Sequence, residues 1–126
     1  MAQTFGLAKI GQISVTVHDL ERAIQFYRDQ LGTRFLFQVP KMAFFDCGGI
    51  RLMLALPEKP EFDHASSILS FKVADIQQAH AALVARQVRI GEGPILVAKL
   101  EKADLWLSSF YDSESNLLAL MSEVPR

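Results

Sequence analysis

Apolar and polar residues alternate near the start of the chain before the pattern becomes helical. Ile13, Val15 and Val17 alternate with polar residues, which is the period of two expected for a β-strand with two different faces. Asp19 follows where a helix N-cap should stand, and Gly32 stands where a helix would end. Between them the apolar residues recur at helical spacing and predict an amphipathic helix: Leu20, Ala23, Ile24, Tyr27 and Leu31.

The same pattern of a strand followed by a helix occurs a second time. Residues 13–23 align with residues 69–79 at an offset of 56, and residues 46–54 align with residues 112–120 at an offset of 66. The difference between the offsets predicts ten extra residues in the second copy, within the loop-rich region 91–103. In the first copy, strands are predicted over residues 33–39, 42–47 and 50–56, with a tight turn at Gly48 and Gly49. In the second copy, Asp75 is predicted to cap the helix.

Each copy therefore has the order strand, helix and three strands. One such βαβββ unit buries too little apolar surface alone, so the two copies should pack together. We predict an α+β fold in a single domain over residues 1–126, with βαβββ modules at about 8–56 and 67–122 and a proline-containing linker at 57–66. The strands are expected to form a curved mixed sheet, with a concave cup on one face and the helices on the outer face.

Composition narrows the class of protein without indicating its chemistry. The chain has 126 residues, of which 50% are apolar and 21% charged, with a formal net charge of −1. Basic residues are interspersed with acidic ones, so no nucleic-acid partner is expected. No stretch is long and apolar enough to span a bilayer, the first nine residues lack a secretory pattern, and no membrane partner is expected. With Cys47 as the only cysteine, there is no internal disulfide, and a cytoplasmic location is favoured.

Two segments carry a resemblance to a known superfamily. Residues 10–32 resemble the opening of the vicinal oxygen chelate superfamily, which includes glyoxalase I, extradiol dioxygenases and bleomycin resistance proteins. The matching features are a V-x-D-L turn into the helix, an A-x-x-F-Y stripe and a Leu-Gly stop. Residues 110–120 resemble the family's aromatic-x-D-P-x-G-N entry into its last strand, with Ser113 and Ser115 in place of Pro and Gly. The resemblance implies the fold and leaves the reaction open, because one scaffold hosts many chemistries.

The resemblance also indicates where a metal would bind. Family members with a metal draw one ligand from each of four strands on the concave face, and the matching positions here are Gln12, Met53, Ile68 and Ala119. Divalent metals in this role need oxygen or imidazole nitrogen donors, and only Gln12 offers one. A register slip of one residue does not supply the missing donors. We therefore expect neither a metal nor another cofactor.

Counting by twos from Gln12 places further polar residues on the cup face. Arg51 and Lys72 would favour a carboxylate or phosphate ligand there, unless both extend their charges from the rim into water. Trp106 would either stack on a planar ligand or pack in the core or an interface. The predicted ligand-binding residues are Gln12, Ser14, Arg51, Met53, Ile68, Ser70, Lys72, Trp106 and Ala119.

Nothing in the sequence identifies a catalytic residue. His18, His64 and His80 do not cluster, and Cys47 has no neighbour that would activate a thiol, so it is interpreted as a small buried residue. Three functions remain open. The favoured one is a bleomycin-resistance-like protein that binds a small organic molecule without the family metal. Arg51 and Lys72 indicate that this molecule is an anion. The others are a lyase, isomerase or dioxygenase with a divergent or metal-free site, and a family member that serves protein–protein contact. A homodimer is expected in all three, because the resemblance implies pockets completed by pairing.

Overall fold

A computed structural model describes residues 5–126; residues 1–4, part of the segment that lacks a secretory pattern, lie outside the described residues. The elements in chain order are β1 (Gln12–Thr16), α1 (Leu20–Gln25) continued by a π-helical turn (Phe26–Gln30), β2 (Arg34–Val39), β3 (Met42–Cys47), β4 (Ile50–Ala55), a 3-10 turn (Pro60–Phe62), β5 (Ser70–Lys72), α2 (Ile76–Ala85), β6 (Arg89–Ile90), β7 (Ile95–Lys99), β8 (Ala103–Tyr111) and β9 (Leu117–Pro125).

The two helices begin at the predicted caps. The Asp19 carboxylate accepts a hydrogen bond from the Arg22 amide and that of Asp75 accepts one from the Gln78 amide, both at 3.1 Å, so both caps are confirmed. The predicted first helix is continuous, but its second half widens into a π turn, which Gly32 follows with a φ of 73°. In the described part of the chain, no helix is long and apolar enough to cross a membrane.

The strands are divided between two sheets with related topologies. The first has the order β1-β4-β3-β2, and the second has the order β5-β9-β8-β6 with β7 also paired to β8. Ser14 pairs with Met53 in the first sheet, and Ser70 pairs with Ala119 in the second, which reproduces the offsets of 56 and 66. The α+β class is confirmed. β7 and the turns around it occupy the region where the ten extra residues were predicted.

One apolar core joins the two modules. The sheet faces that carry the helices both contribute to it, because Val15, Leu52 and Phe45 of the first sheet belong to the same buried cluster as Phe110 and Leu118 of the second. The opposite faces carry mostly polar or partly exposed side chains, with Phe44 and Ala119 as buried exceptions. The two sheets therefore share their interior side, and each presents its other face to the surroundings.

A buried carboxylate connects the first helix to the last hairpin. The Tyr27 hydroxyl donates to Asp112 Oδ2 at 2.7 Å, and both residues are buried. Asp112 also accepts from the amides of Glu114 and Asn116, each at 2.8 Å, and from Asn116 Nδ2 at 2.9 Å. These donors replace the water that a buried carboxylate requires. Burial, and then the charge of Asp112, raises the pKa of Tyr27, so its hydroxyl stays protonated and donates.

We predict that Tyr27→Phe lowers the free energy of unfolding by about 1–3 kcal/mol, the range for a lost hydrogen bond to a buried charged group. The change leaves the Asp112 carboxylate with the three hydrogen bonds that it accepts from Glu114 and Asn116, and it adds no bulk. Urea denaturation measures the loss. The matched control is Tyr111→Phe, because Arg89 packs over the ring of Tyr111 and its hydroxyl forms no hydrogen bond with the described residues. Equal stability of the two variants would contradict the role given to Asp112.

Candidate functional site

The structure separates the predicted ligand-binding residues into two groups. Gln12, Ser14, Arg51 and Met53 share the face of the first sheet that points away from the helices, where Gln12 pairs with Arg51 and Ser14 with Met53. The remaining predicted residues belong to the second sheet or the strand entry before it, and no strand ladder joins the two sheets within the described residues. The first group is therefore the compact one.

The centre of the first group is a guanidinium in a fixed position. Arg51 Nε donates to Gln12 Oε1 at 2.8 Å, and the guanidinium carbon lies 5.0 Å from the ring centroid of Phe44. Phe44 in turn stacks on Phe37, with the ring centroids 4.6 Å apart. Phe37 keeps 45% of its surface exposed. The row from Gln12 through Arg51 and Phe44 to Phe37 crosses all four strands of the sheet, and we call it the Arg51 row.

The charge of Arg51 is available to a ligand. Its side chain is exposed and forms no ion pair with any residue in the range 5–126, and Nε is the only guanidinium nitrogen that donates there. Asp46 lies opposite Arg51 in the neighbouring strand, but its carboxylate accepts the Gly49 amide at 3.3 Å. The two terminal nitrogens of Arg51 keep the geometry that binds a carboxylate through two parallel hydrogen bonds.

The four positions of the family metal do not fit a divalent ion. Gln12 Oε1, the single hard donor among them, accepts from Arg51, whose positive charge would repel a cation at the same place. Gln12 Nε2 donates a hydrogen bond to the Met53 sulfur at 3.7 Å, so the side chains at the two matching positions on the first sheet contact each other. Ile68 and Ala119 have hydrocarbon side chains. Across residues 5–126, no group of three His, Cys, Asp or Glu side chains could hold a metal ion.

The linker forms a wall that the sequence did not predict. A cavity of about 280 Å³ lies beside Ser14 and Met53, and its lining includes Met42, Pro57 and Phe62. Thr16 Oγ1 donates to the Phe62 carbonyl at 2.8 Å and ties the linker to the end of β1. The one signal for this contact is Phe62 itself, a large aromatic residue in an otherwise polar segment. The apolar wall next to the Arg51 row can hold the organic part of a ligand.

His18 fixes the end of the same linker. Its Nε2 lies 2.9 Å from Asp63 Oδ1, and its Nδ1 lies 3.4 Å from Glu114 Oε1. Hydrogen bonding and attraction by Asp63, with a smaller effect of Glu114, raise the pKa of His18. The ring is largely exposed.

The other predicted residues have different surroundings. Lys72 Nζ lies 3.2 Å from Glu123 Oε2, so its charge is paired. The placement of Trp106 in the cup is corrected, because Trp106 pairs with buried Ser122 and packs against the core on the face opposite Ala119. Ala119 is itself buried, whereas Ile68 is exposed. Cys47, expected to be buried, is only half-buried, because it lines an opening at the end of β3. Burial, and then the charge of Asp46, raises the pKa of its thiol, which favours the neutral form.

We predict that His18 titrates above its ordinary pKa of about 6.5 and that Asp63→Asn shifts it back towards that value. Because the folded pKa is raised, the stability contributed by this contact is fully present below the unfolded pKa and is lost as the pH rises through the folded pKa. NMR titration of the imidazole carbon protons measures both variants. Glu114→Gln provides the control and should shift the pKa less than Asp63→Asn does. A parent pKa at or below the ordinary value would refute the contact.

Comparison with known proteins identifies the architecture. Residues 9–120 match the family model of the Glyoxalase/Bleomycin resistance protein/Dioxygenase superfamily. An integron cassette protein from V. cholerae has a TM-score of 0.79 at 18% identity, with 95% of this chain and 98% of that chain covered. A superfamily member from Sphaerobacter thermophilus has a TM-score of 0.75 at 23% identity, with 93% of this chain and 98% of that chain covered. Lactoylglutathione lyase from Agrobacterium tumefaciens has a TM-score of 0.72 at 17% identity, with 93% of this chain and 95% of that chain covered. At these identities, the structural likeness speaks for the fold alone.

Proposed function

The chain belongs to the glyoxalase/bleomycin resistance protein/dioxygenase superfamily, and on that premise we propose that it binds a small organic anion at the Arg51 row without the family metal. The observation that carries the proposal is the hydrogen bond from Arg51 Nε to Gln12 Oε1. It holds a guanidinium beside Gln12, one of the four positions that match the family's metal ligands. A side chain thus supplies a positive charge next to Gln12.

The neighbouring surfaces match the two parts of such a ligand. The terminal nitrogens of Arg51 suit a carboxylate or phosphate. The exposed ring of Phe37, which stacks on the Phe44 ring that Arg51 contacts, suits a flat apolar group. The cavity walled by Met53 and Phe62 adds an apolar surface on the other side. A few polar groups that orient a ligand against a mostly apolar lining are typical of small-molecule sites.

A second copy of the chain is part of the proposal. The face that carries the Arg51 row is open in the single chain, and large apolar residues at or near the sheet edges are more than one-third exposed, among them Leu36, Phe37, Val39 and Val124. Monomeric proteins rarely leave such patches uncovered. A homodimer would cover these edges and enclose the ligand, as the family resemblance implies.

We predict that a panel of organic carboxylates that includes benzoate and citrate contains at least one compound that raises the melting temperature of the protein in the presence of a chelator. Arg51→Gln should weaken binding of that compound about tenfold to hundredfold, since a hydrogen-bonded charged contact contributes about 1.5–3 kcal/mol. Titration calorimetry measures the dissociation constant. A panel without any binder, or binding that is unchanged in Arg51→Gln, would refute the proposal.

Three matched variants sharpen this test. Gln12→Glu is almost isosteric and pairs the Arg51 charge without removing it, so it should weaken binding as Arg51→Gln does. Asp46→Asn removes the negative charge opposite Arg51 and should strengthen binding. Lys72→Gln removes a cation that lies outside the Arg51 row and should leave binding at the row unchanged. Addition of Ni²⁺, Zn²⁺, Mn²⁺ or Fe²⁺ should not raise the melting temperature, and a clear increase would show that the metal-free part of the proposal is wrong.

We predict that the purified protein has twice the mass of one chain when it is measured by light scattering during size-exclusion chromatography. Val39→Lys, at the exposed end of edge strand β2, should favour the monomer because it places a charge in the covered area. Gln77→Lys, at an exposed position on α2, provides a control of equal charge that should leave the mass unchanged. A monomer at all concentrations would contradict the paired site.

A further inference from the structure

We propose that an apolar cavity between the two modules is a second binding site, for a small molecule with an apolar body and one polar end. The cavity has a volume of about 570 Å³ and shares no residue with the Arg51 row. One side is formed by the first module, with Ile13, Cys47, Gly48, Ile50 and Leu52, and the other by residues 68–72.

The repeat explains why this cavity is open. The two modules meet at two related junctions, and polar side chains close one of them. At the closed junction, Tyr27 donates to Asp112, and the Glu114 carboxylate accepts from the amides of His18 and Asp19 at 2.9 and 3.1 Å. The hairpin of the second module is thereby fastened to the strand and helix of the first.

The residues at the related junction lack these groups. The offset of 56 replaces Tyr27 with Leu83 and the amides of His18 and Asp19 with those of Ala74 and Asp75. Strand pairing makes Cys47 the counterpart of Asp112, because Cys47 pairs with Ile50 at the end of the first hairpin as Asp112 bonds to Asn116 at the end of the second. The offset of 66, which would match Asp112 with Asp46, holds for β4 and β9 and is 65 for β3 and β8, where Phe45 corresponds to Phe110. The connecting turn is then Gly48 and Gly49, which have no side chain, in place of three residues that include Glu114. Among residues 5–126, this junction has no counterpart of the closing hydrogen bonds.

The size and chemistry of the opening favour a small molecule. Its volume falls within the range of about 300–1,000 Å³ that is usual for ligand pockets. Hydrocarbon side chains provide most of the wall, and Ile68 keeps 57% of its surface exposed, which a bound apolar body would cover. Ser70 and the paired ammonium of Lys72 supply polar groups where the polar end of the ligand would lie.

Cys47 provides a direct measurement, because it lines the cavity and is the only cysteine in the chain. Iodoacetamide should alkylate it slowly in the free protein, and decanoate should slow the reaction further. At a ligand concentration of about ten times the dissociation constant, mass action predicts about tenfold protection. Intact-protein mass spectrometry gives the rates. Decanol should protect as well, and Lys72→Gln should weaken protection by decanoate more than protection by decanol.

Ser70→Trp and Ser14→Trp form a matched pair of variants, since the two serines are 56 residues apart and exposed on equivalent edge strands. Ser70→Trp fills the cavity and should abolish protection, while Ser14→Trp should leave it unchanged. Ile68→Trp is a second filling variant, and thermal unfolding verifies that each variant folds. Arg51→Gln should not alter protection, so failure of this site is distinguishable from failure of the Arg51 row. Absence of protection in the folded parent, or equal loss in Ser70→Trp and Ser14→Trp, would overturn the proposal.

Discussion

The burial of the Asp112 carboxylate is the constraint on which the arrangement of the two modules depends. A charge removed from water without a cation beside it is tolerated only when donors surround it. Three of those donors come from its own hairpin, but the fourth is the Tyr27 hydroxyl of the other module. The carboxylate is therefore fully satisfied only when the first helix is packed against the second sheet. One buried group thus couples the local shape of a turn to the position of a distant helix.

The same joint makes the internal repeat unequal. Once the hydrogen bonds of Asp112 and Glu114 fasten one junction, the apolar core shared by both sheets keeps the modules together. At the related junction, Cys47 and Gly48 line the opening, and Leu83 stands at the sequence position equivalent to Tyr27. Unequal junctions in an almost symmetric scaffold leave different surfaces: a polar contact on one side and an apolar opening on the other. The two proposed sites therefore differ in surface chemistry although the strands of the two modules are arranged alike.

The sequence predicts the features of this fold that depend on local physics. Period-two alternation locates β1, and the carboxylates of Asp19 and Asp75 mark both helix starts, because a cap bonds within three residues of itself. The face of Trp106 was not predictable in the same way. Strand β8 has apolar residues on both faces, so alternation alone does not tell which face meets the core. The linker wall was missed because the bond from Thr16 to Phe62 spans 46 positions, and no local pattern reports it.

The donor type of Gln12 is evident from the sequence, whereas its hydrogen-bond partner depends on the fold. Its side chain is the single hard donor among the four positions, so these residues do not make a ligand set of the family type. The donor types do not predict which group the Gln12 amide oxygen bonds to, because the strand register decides whether an arginine lies beside it. Because β1 and β4 pair in parallel, Gln12 lies directly beside Arg51, and the oxygen that could have met a metal orients a guanidinium. The amide thereby acts through Arg51, and the charge at this place is fixed by the pairing of two strands.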